Sequence, residues 1–245
     1  MGQMIELQSG GEPLEVYEAK PTGEVKGGLI VIHEVWALND HIKSIADRYA
    51  AEGYWVLAPN LLDVLHIEEV GRQLQLDYFN PETRNEAQPK LRALMTPMHE
   101  PDFGARTLAR TQVCFDYLYN QPETKQWVAI TGFCFGGTYS FALATAEPRL
   151  KAAVPFYGHA PFDDSEALKR IACPILAFYG ENDEGHIKDL PQIEAAMESA
   201  GVDFTDKVYP DCAHAFFNDT NPYAYNEAAA KDAWQRTLDF LAKIA

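Results

Sequence analysis

The sequence is poor in positive charge. It has 20 lysines and arginines against 36 aspartates and glutamates, which gives a formal net charge of −16 over 245 residues. Nucleic acids and anionic membranes are recognised by basic surfaces, so this charge argues against both as partners. An anionic small molecule would need a locally placed arginine or lysine.

Long apolar runs and paired cysteines are also lacking. No run approaches the roughly 18 apolar residues that span a membrane, and the first residues lack the basic and apolar regions of a signal peptide. The four cysteines form no C-x-x-C pair, so neither a zinc site nor a thioredoxin-like motif is predicted. We expect a cytoplasmic chain with reduced thiols, no metal and no cofactor.

Short apolar runs alternate with helical patterns along the chain. Its length and 47% hydrophobic content suit one domain, residues 1–245, with a sizeable core. The alternation predicts an α/β fold: a mostly parallel sheet with helices on both faces, after an antiparallel hairpin. The stretch 60–101 contains four prolines and is expected to be an excursion with a short helix that shapes a pocket.

The predicted strands are Met4–Leu7, Leu14–Glu18, Leu29–His33, Trp55–Ala58, Val128–Thr131, Ala152–Tyr157, Ile175–Tyr179 and Phe204–Tyr209. The predicted helices are His41–Glu52, Ala105–Tyr119, Gly137–Ala146, Leu190–Ala200 and Ala224–Ala242.

The most informative motif is Gly-Phe-Cys-Phe-Gly-Gly at residues 132–137. It lies between a strand and a helix, which predicts a nucleophile elbow with Cys134 where serine is usual. A Cβ at Gly132 or Gly136 would collide with the neighbouring strand or helix. The first turn of the following helix would favour a thiolate. The simpler alternative is a buried structural cysteine.

An acid and a histidine follow in the order that such an elbow requires. Asp183 comes just after the apolar run 174–179, with Glu181 and Glu184 as local rivals. Taken alone, Asp183 is more typical of an ordinary turn residue. His214 follows the strand pattern 204–209, although six other histidines are present and a structural role is the alternative. Three strand exits in the order nucleophile, acid and base favour a triad of Cys134, Asp183 and His214.

A fourth element follows the apolar strand 28–32. The backbone N–H groups of Val35 and Phe135 are candidates for an oxyanion hole. Glu34 stands beside them, although its charge opposes an oxyanion. It is either a solvated loop acid or a proton acceptor for the thiol. Trp36 is the aromatic residue most expected to line the pocket.

These residues resemble the dienelactone hydrolases, the carboxymethylenebutenolidase-like members of the α/β-hydrolase superfamily. The resemblance extends over nearly the whole chain, from the strand before Glu34 through Gly-Phe-Cys-Phe-Gly-Gly, Gly-Glu-Asn-Asp and Cys-Ala-His-Ala-Phe to the last helix. It implies a triad of Cys134, Asp183 and His214. It also implies that Glu34 is the resting partner of the thiol, which takes the thiol proton when substrate displaces it.

The chain departs from the family pattern at one position. Well-known members hold a substrate carboxylate with two arginines, and Asn218 stands where one of them is expected, four residues after His214. The other arginine corresponds to Arg92 or Arg84, and an ungapped count back from Cys134 favours Arg92. An uncharged ester or lactone is therefore at least as good an expectation as the dienelactone.

The sequence thus predicts a cysteine-dependent hydrolase that cleaves a small carboxylic ester or lactone through a thioester. Enol lactones suit a thiol nucleophile, because their leaving groups are stabilised enolates. Two alternatives stay open: acyl transfer by the same triad, and a ligand-binding or regulatory member without turnover. We expect a monomer or a small homo-oligomer.

Overall fold

The computed structural model describes residues 2–63 and 67–244. Its strands are β1 (Gln3–Ser9), β2 (Glu12–Ala19), β3 (Gly27–Ile32), β4 (Tyr54–Pro59), β5 (Val128–Phe133), β6 (Ala152–Phe156), β7 (Ile175–Gly180) and β8 (Phe204–Tyr209). Its helices are α1 (Asp40–Ala51), α2 (Ile67–Phe79), α3 (Arg84–Leu94), α4 (Phe103–Tyr119), α5 (Phe135–Ala146), α6 (Ser165–Leu168), α7 (Glu184–Ile187), α8 (Leu190–Ala200) and α9 (Glu227–Ile244).

The strands form one sheet in the order β1-β2-β4-β3-β5-β6-β7-β8. β1 pairs with β2 in an antiparallel hairpin, and β2 is antiparallel to β4. All the other neighbouring strands are parallel. The predicted α/β fold, with a mostly parallel sheet behind an initial hairpin, is confirmed.

Apolar side chains alternate along the central strands, so each face of the sheet has its own core. Ile30 and Ile32 of β3 belong to the core that α4, α5 and α8 cover. Leu29 and Val31 belong to the core beneath α1 and α9. Because both faces are covered, the central strands are buried throughout and appear in the sequence as continuous apolar runs.

Most predicted elements agree with the structure to within two residues at each end, and two differ more. The last helix begins at Glu227 and not at Ala224, because the Asn226 side chain accepts the N–H of Ala229 at 3.1 Å and so caps the helix there. The excursion 60–101 contains two full helices, α2 and α3, where one short helix was expected. These helices bury Leu74, Phe79, Ala87 and Leu91 in a cluster with Trp36. Residues 64–66 of this stretch lie outside the described residues.

The parallel order places four strand ends at one edge of the sheet. β3, β5, β7 and β8 run in the same direction. Their carboxyl ends are followed by Glu34, Cys134, Asp183 and His214 respectively. In the part of the chain that the structure describes, no helix is both long and apolar enough to cross a membrane.

Candidate active site

Cys134 occupies the turn between β5 and α5. Its backbone φ is 55°, in the left-handed region that residues with a Cβ rarely adopt. A Cβ at Gly132 would collide with the backbone of Gly136, and a Cβ at Gly136 would collide with Ile32 of β3. The strained elbow with two small flanks is therefore confirmed. It presents the Cys134 side chain half-buried at the edge of the sheet.

Asp183 and His214 meet because the loops after β7 and β8 are joined. The N–H of Asn182 donates to the carbonyl of Cys212 at 2.8 Å. His214 Nδ1 lies 2.6 Å from Asp183 Oδ2. Since a carboxylate only accepts, Nδ1 carries the proton of this hydrogen bond. His214 Nε2 is then left for Cys134, which lines the same cavity.

Asp183 and Cys134 shift the pKa of His214, and His214 in turn shifts that of Asp183, each in the direction that favours the charged form. Burial disfavours the charged form of His214, but the charge of Cys134 and the hydrogen bonds to Asp183 and Cys134 outweigh it and raise the pKa of His214 well above its usual value. Burial also opposes the charge of Asp183, yet the rings of His186 and His214 hold the pKa of Asp183 well below its usual range. Asp183 is therefore ionised at neutral pH beside a histidine that readily accepts a proton.

A second histidine contacts the same carboxylate. His186, in α7, has its Nδ1 atom 3.0 Å from Asp183 Oδ2. Despite this distance, neither ring nitrogen of His186 has a well-formed hydrogen bond within the described residues, although His186 is only 7% exposed. Its ring stacks on His159 with centroids 4.2 Å apart and lies 5.4 Å from the ring of His214.

Glu34 has neutral partners. Its Oε1 accepts the hydroxyl of Tyr157 at 3.3 Å, and its Oε2 accepts the amide of Asn218 at 2.5 Å. Burial raises the pKa of Glu34, against the charges of His41 and His214 and these two hydrogen bonds. With 3% of its surface exposed, Glu34 is not the solvated loop acid that was one interpretation of the sequence.

Tyr157 links Glu34 to the triad. Its hydroxyl donates to Glu34, and its ring centroid lies 5.0 Å from that of His214. Burial, followed by the charges of Glu34 and Cys134, raises the pKa of Tyr157 well above its usual value, so the phenol stays protonated and remains a donor. Its φ of 38° makes it a second strained residue in the lining of the same cavity.

His33 organises the loop after β3. Its Nε2 accepts the N–H of Leu61 at 3.0 Å, so Nδ1 carries the proton and donates to the carbonyl of Glu34 at 2.6 Å. Burial lowers the pKa of His33 to about 4, which keeps the ring neutral. Phe135 stacks on this ring, with centroids 5.6 Å apart. The loop bearing Val35 is thereby attached to the start of α5.

Val35 and Phe135 both line the cavity that holds Cys134. Phe135 is the first residue of α5, and an N–H in the first turn has no partner within its own helix. The next N–H, of Gly136, donates to the carbonyl of His33 at 3.1 Å. This arrangement is compatible with the predicted oxyanion donors, whose role stays a prediction.

The cavity above Cys134 has a volume of about 370 Å³. Its lining combines apolar side chains, among them Met98, Phe103 and Tyr139, with three histidine rings. No lysine or arginine is among the described residues that line it. Met98 comes from the excursion 60–101, whose role in shaping the pocket stays a prediction.

Comparison with known proteins supplies the family. The sequence profile of the dienelactone hydrolase family matches residues 14–245. The chain belongs to this family. It is 34% identical to a Saccharolobus solfataricus protein named as a carboxymethylenebutenolidase, over 261 residues that cover 100% of both chains.

Solved structures agree with this assignment. A crystal structure from Klebsiella pneumoniae, titled as a dienelactone hydrolase, is 27% identical and has a TM-score of 0.79, with 99% of this chain and 98% of that chain covered. The dienelactone hydrolase of Anabaena variabilis has the same fold, with a TM-score of 0.70 at 18% identity, over 100% of this chain and 98% of that one. This hydrolase therefore has the α/β architecture of its family.

The predicted substrate contacts of this family member lie elsewhere. Arg84 and Arg92 are exposed on α3, and neither lines the cavity of Cys134. Arg84 donates instead to the carbonyl of Tyr78 at 3.0 Å. Trp36 is 6% exposed and packs against Tyr78 and Phe79. It lines a neighbouring cavity. The structure does not bring these three predicted side chains to the thiol.

Asn218, the departure from the family pattern, contacts Glu34 and is fully buried. Its Nδ2 donates to Glu34, and its Oδ1 accepts the N–H and the hydroxyl of Thr220 at 3.0 and 2.6 Å. The amide is thus held in one orientation. In this member of the family, the residue four positions after His214 supports Glu34 and does not line the cavity above Cys134.

The sequence analysis did not identify three residues that shape the site: His33, His186 and Tyr157. The hydroxyl of Tyr157 is the part that contacts Glu34. His33 had a usable signal, because a histidine at the end of an apolar strand and directly before Glu34 must find buried partners. His186 lies three residues after Asp183, a spacing that faces the same side only if the loop turns helical, as α7 does. Nothing in the sequence distinguishes the hydroxyl of Tyr157 from those of the other buried tyrosines.

Proposed function

We propose that this member of the dienelactone hydrolase family is a cysteine-dependent hydrolase that cleaves an uncharged carboxylic ester or lactone through a thioester. The observation that carries the proposal is the hydrogen bond of 2.6 Å between His214 and Asp183, in a cavity shared with Cys134 on its strained elbow. A nucleophile, a base and an acid that orients the base are the parts that acyl transfer requires.

Acylation begins when Cys134 Sγ attacks the carbonyl carbon and His214 Nε2 accepts the thiol proton. The carbonyl oxygen becomes an oxyanion, which the N–H groups of Val35 and Phe135 stabilise by hydrogen bonds. Collapse of this intermediate breaks the bond to the leaving oxygen, which takes the proton from His214. The acyl group is then a thioester on Cys134. The ionised Asp183 stabilises the imidazolium that forms at each stage.

Deacylation uses the same groups with water as the nucleophile. His214 Nε2 takes a proton from water as its oxygen attacks the thioester carbonyl. The second oxyanion collapses and expels Cys134 Sγ, which recovers its proton from His214. One water is consumed, and one acid and one alcohol, or one hydroxy acid from a lactone, are formed.

Glu34 is assigned the role of a second proton acceptor for the thiol. Burial raises its pKa, which suits proton exchange closer to neutral pH than an ordinary carboxyl allows. The hydroxyl of Tyr157 bonds to Glu34 and is affected by the charge of Cys134. It therefore lies within electrostatic reach of the thiol while it is hydrogen-bonded to the carboxyl.

The substrate is assigned as uncharged because the described lining offers no lysine or arginine to pair with a carboxylate, and the charge of His214 is paired with Asp183 and Cys134. Its described lining contains apolar side chains and histidines, and burial and the neighbouring rings lower the pKa of His159. At neutral pH His159 therefore adds no positive charge. The net charge of −16 further disfavours the approach of anions.

The experiment is a panel of p-nitrophenyl esters and enol lactones, each tested as a neutral compound and as its carboxylate-bearing analogue. Wild-type protein should turn over the neutral members preferentially. Cys134→Ala should lose at least about 10³-fold of that activity, whereas the matched variant Cys212→Ala, two residues before His214, should keep it. Undiminished turnover in Cys134→Ala would refute a cysteine nucleophile. Ester or amide products formed from added alcohol or amine acceptors would show acyl transfer in place of hydrolysis.

A further inference from the structure

Asp183, His186 and His214 bring three metal-binding groups together at the cavity. Each offers one ligand atom, and these atoms all lie within 4.8 Å of one another. Two imidazoles and one carboxylate form a ligand set that zinc accepts. The expectation of no metal site rested on cysteine spacing, which says nothing about sites built from histidine and aspartate.

His186 gives a second, independent indication. Its side chain is 8% exposed, yet neither ring nitrogen has a well-formed hydrogen bond within the described residues. A buried imidazole whose nitrogens form no well-directed hydrogen bond is costly, so a ligand that satisfies one of them is favoured. The ring also lines the cavity that holds Cys134.

We propose that Asp183, His186 and His214 form a reversible binding site for one zinc ion, and that the bound ion inhibits the hydrolase. The three groups leave a fourth tetrahedral position for water.

Two of the three separations require only small movements, and the third, between the two histidine ligand atoms, is at most 4.8 Å. Neighbouring ligand atoms around tetrahedral zinc are about 3.4 Å apart, given zinc bonds of roughly 2.0 to 2.1 Å. Asp183 Oδ2 lies 3.0 Å from His186 Nδ1 and 2.6 Å from His214 Nδ1. Both separations must widen by less than about 1 Å. The side chain of His214 is 39% exposed, so it has room to turn.

Binding at His214 Nδ1 explains the inhibition. The ion takes the place of the proton that His214 shares with Asp183, and the ring then carries its proton on Nε2. With Nε2 protonated, His214 has no lone pair for the thiol proton of Cys134. The ion also separates Asp183 from the ring that it orients. The net charge of −16 favours the approach of cations to the protein as a whole.

Isothermal titration of chelator-treated protein with ZnCl₂ tests the binding. Wild-type protein should bind one zinc per chain, and His186→Gln should weaken binding at least about tenfold. The matched variant His99→Gln, which changes an exposed histidine outside the cluster, should bind as wild type does. MgCl₂ should give no saturable heat, because magnesium prefers oxygen ligands.

Cys134→Ala separates this site from chelation by the thiol. The variant should retain zinc binding within about twofold, since none of the three ligands is removed. The zinc titration of Cys134→Ala requires no ester turnover, so its result does not depend on the proposed hydrolysis. It tests the zinc site even if His186→Gln fails to fold. Loss of zinc binding in Cys134→Ala, or equal affinity in wild type and His186→Gln, would overturn the proposal. In wild-type protein, saturating ZnCl₂ should reduce ester turnover at least about tenfold, and a chelator should restore it.

Discussion

Two carboxyl groups at the active site, the buried Glu34 and the partly buried Asp183, occupy opposite environments. Asp183 contacts the rings of His186 and His214, which hold its pKa below the usual range. Glu34 contacts the phenol of Tyr157 and the amide of Asn218, and burial raises its pKa. The carboxyl group of Asp183 is thus kept ionised, whereas that of Glu34 is able to exchange a proton closer to neutral pH. Deeper burial raises the pKa of Glu34, whereas the close histidine partners of Asp183 outweigh its burial.

The largest expected effect comes from removing the charge of Asp183. Asp183→Asn should lower kcat/KM about 10³- to 10⁴-fold, because the amide no longer fixes the tautomer of His214 or stabilises its charged form. Asp189→Asn is the matched control, since Asp189 precedes α8 without a capping hydrogen bond from its side chain. Steady-state kinetics on a neutral p-nitrophenyl ester measure both. A loss below about tenfold would contradict the role given to Asp183.

Glu34→Gln tests the other carboxyl with a smaller expected effect. The negative charge of Glu34 opposes a thiolate at Cys134, so its removal should move the pH profile of Cys134 alkylation to lower pH, by about one pH unit. Iodoacetamide labelling across a pH series measures the profile. Glu181→Gln, which changes an exposed acid in the loop after β7, should leave the profile in place. An identical profile for Glu34→Gln and wild type would remove Glu34 from the mechanism.

The pH dependence of stability should also separate the two carboxyls. The pKa of Asp183 is lowered, so its contribution to stability is present above the usual carboxyl value and is lost as pH falls through the folded-state value. The pKa of Glu34 is raised, so its contribution is present at low pH and is lost as pH rises through the folded-state value. Denaturant unfolding at several pH values should therefore show Glu34→Gln gaining stability relative to wild type as pH rises. A difference that does not change with pH would contradict this account.

The smallest effect is expected at Arg92, which the sequence favoured as a substrate contact. Because Arg92 is exposed and does not line the cavity, Arg92→Ala should change kcat/KM for neutral and anionic esters equally, by less than about twofold. Lys90→Ala on the same helix is the control. A selective loss on anionic esters would show that α3 reaches the substrate.

The fold was predictable because its signals are local. Continuous apolar runs marked the buried strands, and the residues directly after these runs included Cys134, Asp183 and His214. Parallel strands bring such positions to one edge whatever their separation in the chain. Gly132 and Gly136 identified the elbow because the turn has no room for a Cβ atom at either position. This requirement is local, so it is visible in the sequence.

Contacts between loops were not predictable in the same way. Asn218 was identified as a departure from the family pattern, but its hydrogen bond to Glu34 depends on how the loops after β3 and β8 approach each other. The position of the His186 side chain depends on the short helix α7, which has too few residues to give a periodic hydrophobic pattern in the sequence. Arg92 was favoured by counting residues through the excursion, and that count carries no information on where α3 packs.

The claim that Cys134 carries the acyl group is tested most directly by acid-quenching the wild-type protein during turnover of a slow neutral ester and analysing its peptides by mass spectrometry. The account predicts a mass increase equal to the acyl group on the peptide that contains Cys134, removable by hydroxylamine and missing from Cys134→Ala. An acyl group on another residue, or turnover that persists in Cys134→Ala with no modified peptide, would contradict it.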